Sequence, residues 1–141
     1  MSDLHDSDIL IWSERQAQLL RRHAAGEWVG DAIDWPNIVE EIEDVGRSEL
    51  HAVESLLVQA FRHMLKAEAW PLSGHAANWR AEAVGYRLEA RRRVTSGMRQ
   101  RINLGALYAD ALAGLPDAED GAAPLPVPME CRVTLDELLG E

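Results

Sequence analysis

A chain of 141 residues, 47% of them hydrophobic, has the size of one ordinary domain and enough apolar material for a real core. Its formal net charge of -10 argues against a dedicated binder of duplex DNA or of an anionic membrane, since both surfaces repel it at long range. The single cysteine, Cys131, excludes an internal disulfide and a multi-cysteine zinc site, and fits a reducing cytoplasm.

The acidic start Met1-Ser2-Asp3-Leu4-His5-Asp6 lacks the basic and apolar regions of a secretory signal. No apolar run approaches the roughly 20 residues that span a bilayer, so a soluble, cytoplasmic protein with no membrane partner is expected. Strand signals are weak, and the chain reads as all-α, a single domain over 1–141. A first helix starts near Asp6-Ser7-Asp8, whose short polar side chains can accept from orphan amides, with Trp12, Gln16, Leu19, Leu20 and His23 on its inner side. Gly26 and Gly30 bracket the turn that ends it.

The next helix is the dominant element, running from about residue 35 to 68. Asp34 is a suitable N-cap, Pro36 sits in the first turn where its missing N–H costs little, and the glutamates that follow meet the positive end of the helix dipole. Ile38, Ile42, Val45, Val53, Leu56, Ala60 and Met64 keep to one apolar stripe, which predicts a single long helix. Gly46 lies at the stripe's edge and predicts close approach by another helix or a tryptophan, or else a hinge. Glu49 falls near the stripe's centre and therefore needs a partner, for which an arginine of the later basic helix is the leading candidate ahead of a catalytic role. His63 lies beside the same stripe, about 21 Å from Glu49 along the axis.

The run Trp70-Pro71-Leu72-Ser73-Gly74 reads as a loop, and the helix after it puts Trp79, Ala83, Tyr86, Ala90 and Val94 inward with Arg80, Arg87 and Arg91 on an adjoining side. Residues 80 to 101 carry seven arginines against Glu82 and Glu89, whereas residues 31 to 54 carry eight acids against Arg47. The arginines either neutralise acidic blocks of the same chain or, at Arg80, Arg87 and Arg91, form a surface for an anion. A further helix spans about Leu104 to Leu115, stopped by Gly114 and Pro116. Residues 121–128 predict an extended proline-containing crossing anchored by Leu125 and Val127, and Thr134-Leu135-Asp136-Glu137 has capping-box spacing for a short terminal helix.

Catalytic motifs are absent: no phosphate loop, no dinucleotide glycine fingerprint, no H-E-x-x-H pair, no nucleophile elbow and no glutamate-x-x-histidine di-iron pattern. The five histidines lack helical ligand spacing, so neither a metal nor another cofactor is implied. Cys131 reads as a small, buried, apolar residue.

Several segments together resemble the bacterial family called domain of unknown function 29: Asp34-Trp35, Asn37, Glu40-Glu41-Ile42, Gly46-Arg47-Ser48-Glu49, His63 with Leu65-Lys66, then Trp79 and Tyr108. Trp12, Gln16 and Leu19-Leu20-Arg21 are similar to its opening helix, and Cys131 with the leucines after it to its closing segment. Met64 and Ala67-Glu68-Ala69 depart from the family pattern. The resemblance implies a compact helical bundle of unknown biochemistry and names no active site. Were there one, Glu41, Arg47, Glu49, His63, Lys66 and Trp79 are the residues whose convergence would matter. An interaction or structural module, self-association included, is the leading functional expectation and an enzyme the less favoured one. The alternatives are a ligand-binding or hydrolase-like protein using that Glu/His/Arg cluster, and a nucleic-acid regulator working through an Arg80–Arg101 basic helix.

Overall fold

Helices account for all the regular structure of the computed structural model, which describes residues 3–141; the acidic start at Met1-Ser2 lies outside the described residues. In chain order they are α1 (Asp3–Ser7), α2 (Ile9–Ala24), α3 (Trp35–Ala69), α4 (Ala76–Arg93), α5 (Ser96–Arg101), α6 (Leu104–Ala113) and α7 (Leu135–Leu139). Among the described residues there is no strand, only an isolated antiparallel bridge between Glu119 and Ala122. None of these helices is long and apolar enough to cross a membrane. The contacts resolve into two compact units, Met1–Ser48 and Glu49–Glu141.

The first unit closes around Trp12, Ile33 and Ile38, with Leu4, Leu19, Leu20 and Val29 against them. Asp8 is the N-cap of α2, its carboxylate accepting from the Ile11 amide at 3.1 Å. Gly26 and Gly30 have φ of +87° and +61°, the left-handed geometry their turn requires. Gln16 is the buried polar residue here: its amide nitrogen donates to the Ala32 carbonyl at 3.3 Å and its oxygen accepts from the Asp34 amide at 2.8 Å. Asp34 also accepts from the Trp12 indole N–H at 3.0 Å and from the Asn37 side chain at 2.8 Å, so the start of α3 is fixed by three neighbours. His23, expected on the inner side of α2, is exposed, with its ring edge-on to Trp35.

The second unit buries Val53, Leu57, Ala60, Phe61 and Leu65 of α3 against Ala90, Leu107, Tyr108, Ala111, Leu138 and Leu139. Trp70, Ala76 and Trp79 form a neighbouring cluster with Ala67 and Ala69. Every large side chain in these lists contributes about 1.5–3 kcal/mol by leaving water, which is what holds short helices such as α6 and α7 in place. Thr134 and Glu137 make both bonds of the capping box on α7, at 3.1 Å each, and Gly140 ends that helix with φ +74°.

Four expectations need correction. The stripe on α3 is buried at Ile38 and again from Val53, but Ile42 and Val45 between them are 67% and 68% exposed. Gly46 is likewise exposed, and a Cβ placed there would meet nothing within 4 Å, so no helix or tryptophan of this chain explains it. The basic stretch is not one helix: α4 stops at Arg93, and Thr95 caps a separate α5 by accepting from the Met98 amide at 3.2 Å. Leu125 does not anchor the proline crossing through its side chain, which is exposed; its amide donates to the Ala69 carbonyl at 2.8 Å, satisfying an orphan acceptor at the end of α3. Two further bonds pin that crossing, from the Trp70 indole to the Ala122 carbonyl at 2.8 Å and from the Tyr108 hydroxyl to the Pro128 carbonyl at 2.5 Å.

Candidate functional site

The six residues singled out in the sequence do not share one site; most of them have a partner of their own. In the first unit, Glu41 accepts from His5 Nε2 at 2.9 Å, and that bond raises the His5 pKa above its usual 6.5, against the opposing effect of desolvation. Arg47 turns back one helical turn to Asp44 at 2.8 Å, an exposed pair of little energetic weight.

In the second unit, Glu49 is not in the apolar interior. Its side chain is 58% exposed and lies 3.4 Å from Arg93, near the end of α4. The wheel misplaced it because it assumed burial along the whole of α3, whereas burial resumes only at Val53. His63 is held on both sides: Nδ1 lies 2.8 Å from the Gln59 carbonyl and Nε2 2.6 Å from Glu82 Oε2. Glu82 in turn accepts from the Asn78 side chain at 2.8 Å through its other oxygen, and Tyr86 flanks the imidazole with ring centres 5.3 Å apart. Both of the ring's partners are oxygens, so neither nitrogen is left free to take a proton from a substrate. Only Lys66 and Trp79 of the six meet each other, the ammonium standing 5.0 Å from the indole centre, and the His75 ring lies 5.9 Å from the same indole. Sequence reasoning missed His5, Glu82 and Asn78; α4 carries Asn78 and Glu82 one turn apart, a spacing readable as a hydrogen-bonded pair.

The three candidate anion-binding arginines also part company. Arg87 is a C-terminal clamp, donating to the carbonyls of Leu138 at 2.5 Å and Glu137 at 3.4 Å in the last turn of α7. Arg91 lies 3.9 Å from Glu141, and Arg99 pairs with Asp136 at 2.7 Å and with Glu141 more closely still. The Glu141 hydrogen bond is the main reason the Arg99 pKa is raised. Much of the arginine block is thus the counter-charge of the acidic C-terminus. Arg80 has no partner among the described residues and lines, with Arg87, Glu68, Met64 and Val84, a cleft of about 490 Å³. A larger cleft of about 630 Å³ in the first unit is lined by Arg15 and Arg22 as well as Asp31 and Asp34, a lining of both signs. No group of three or more His, Cys, Asp or Glu among the described residues is gathered to hold a metal ion.

Cys131 is half-buried with Sγ 3.4 Å from the Val133 carbonyl, and lines a small cleft of about 220 Å³ with Tyr108 and Glu68. The Tyr108 pKa is raised above 10.0, chiefly by burial and then by the nearby Glu68 carboxylate.

Comparison with known proteins agrees with this picture of a fold without a legible reaction. An α-helical protein of unknown function from Rhodospirillum rubrum, known from its crystal structure, is similar at 27% identity and a TM-score of 0.66, over 97% of this chain and 89% of that one. No curated protein matches the chain. The family model for the domain of unknown function DUF29 matches residues 4–141, nearly the full length, and the chain belongs to that family.

Proposed function

We propose that this chain works as a protein-interaction module of the bacterial cytoplasm rather than as an enzyme. The supporting observation is the outward face of α3 in the first unit. There Trp35, Val39, Ile42 and Val45 are 50%, 52%, 67% and 68% exposed on consecutive turns. Single exposed apolar residues are ordinary, but four on adjoining turns of one helix form a contiguous patch of the kind that marks an interface. The polar candidates give a reaction less support, because Glu41, Arg47, Glu49 and His63 are each engaged by a residue outside the cluster.

A photocrosslinking amino acid in place of Ile42 tests the reading in living bacteria, with the same residue in place of the exposed Gln100 as control. A discrete adduct at position 42, absent at position 100 and abolished by adding Val39→Asp, is the expected result. No adduct at position 42, or an equal smear at both positions, overturns it.

A further inference from the structure

Two helix faces of this chain complement each other in charge and carry the same unexplained feature. On α3, advancing about 100° per residue puts Trp35, Val39, Ile42 and Gly46 on one side, all exposed, with Val45 at the edge. Glu43 and Glu49 flank this side, while Glu40, Glu41 and Asp44 lie behind it. On α4, Ala81, Val84, Gly85 and Leu88 share one exposed side, with Arg80 and Arg91 along one edge, Arg92 at its C-terminal end, and Glu82 and Glu89 along the other edge, so that arginines still outnumber acids around it. Arg80 is unpaired among the described residues, while Arg91 and Arg92 have only exposed contacts, at 3.9 Å to Glu141 and 3.4 Å to Glu89. These rim charges therefore remain open to an outside partner at little cost.

Each face also has a helical glycine near its middle. A glycine inside a helix costs about 1 kcal/mol relative to alanine, a cost natural sequences usually carry for a packing reason. Neither Gly46 nor Gly85 has such a reason in this chain, since a Cβ at either would meet nothing within 4 Å. A helix from another molecule supplies the reason, because two glycines let the backbones approach closely.

We propose that the occupant of the α3 face is a second copy of this chain, which seats the Val84–Leu88 side of its α4 there. The copies then meet head to tail, apolar side on apolar side, with Arg80, Arg91 and Arg92 of one toward Glu43 and Glu49 of the other. Pairing of α3 with α3 is disfavoured by the same charges, since it sets acids against acids. The inference rests on the interaction-module reading and adds the identity of the partner and the second surface.

The test is sedimentation equilibrium of the full chain over a range of concentrations. The expected average mass rises with concentration above the 15.7 kDa of one chain. It falls back when salt is raised from about 0.1 M to about 1 M, where the screening length drops from about 10 Å to about 3 Å. Ile42→Glu and Leu88→Glu, both at exposed positions, each weaken association at least about tenfold without changing the circular dichroism spectrum. An equimolar mixture of the two variants associates again, because each brings one intact face; Gly85→Leu weakens association as the α4 substitution does. A chain that stays monomeric throughout overturns the second-copy proposal, and so does a mixture that fails to recover. If the chain is monomeric yet position 42 crosslinks to a different protein, the interaction-module reading stands while this inference falls.

Discussion

His63 Nε2 lies 2.6 Å from Glu82 Oε2, while its Nδ1 faces the Gln59 carbonyl at 2.8 Å. An imidazole gripped at both nitrogens ties α4 to α3, and its value is mechanical. Because Glu82 is 42% exposed, the pair is discounted below a buried one, and His63→Ala and Glu82→Ala are each expected to cost about 1–2 kcal/mol in urea unfolding. A double-mutant cycle should give a coupling of about 1 kcal/mol. Strict additivity would show that the short contact carries no energy.

His5 gives the chain a pH-dependent joint. Its pKa is raised first by the hydrogen bond to Glu41. The contribution of this contact is therefore complete below the unfolded value near 6.5 and is lost as pH rises through the folded one. In an NMR titration the His5 midpoint should lie above 6.5 in the native chain and move back toward it in Glu41→Gln. A midpoint that ignores the substitution would remove Glu41 as the cause.

Tyr108 reports on the proline crossing. Its hydroxyl donates to the Pro128 carbonyl at 2.5 Å, so Tyr108→Phe should lower stability by about 1 kcal/mol, with the core unchanged around the retained ring. The raised pKa places its stabilising effect below pH 10.0, to be lost as pH climbs from there through the folded value. Ultraviolet titration of Tyr86→Phe, which leaves Tyr108 as the sole tyrosine, should show a midpoint above 10.0.

Gly46→Ala should make the fold more stable, by about 0.5–1 kcal/mol, since α3 is helical on both sides of it and the new methyl meets open space. Thermal or urea unfolding checks this. Destabilisation at a concentration where the chain is monomeric would mean that some part of the same molecule packs on Gly46 after all.

Much of the fold was legible because it is written in local chemistry. Asp34 and Pro36 mark where α3 begins, Gly26 and Gly30 where the preceding turn lies, and Thr134 with Glu137 form the capping box that their spacing announces. The break between α4 and α5 was missed although Thr95 offered a cap signal, because the eye follows the arginines straight through it. The candidate site was far less legible. His5 with Glu41 and His63 with Glu82 are partners far apart in sequence, which no helical spacing rule can pair, whereas Glu49 does meet an arginine of the later basic helix, as its need for a partner led one to expect, though at an exposed site. The apolar stripe of α3 failed at Ile42 and Val45 for another reason: periodicity says which side of a helix is apolar, and nothing about whether the covering surface belongs to the same molecule.

The bond from the Trp70 indole to the Ala122 carbonyl joins residues 52 positions apart, and Leu125 closes the end of α3 from a similar distance. During synthesis, which delivers the N-terminal part first, α3 therefore leaves the ribosome with its last turn unfinished. The acceptor at Ala69 has to wait until most of the chain has been made. A nascent chain halted before Ala122 lacks the partners of both the indole donor and that carbonyl, so the second unit can complete these two bonds only near the end of translation. Any partner recruited through α3 of the first unit can meet its surface well before then.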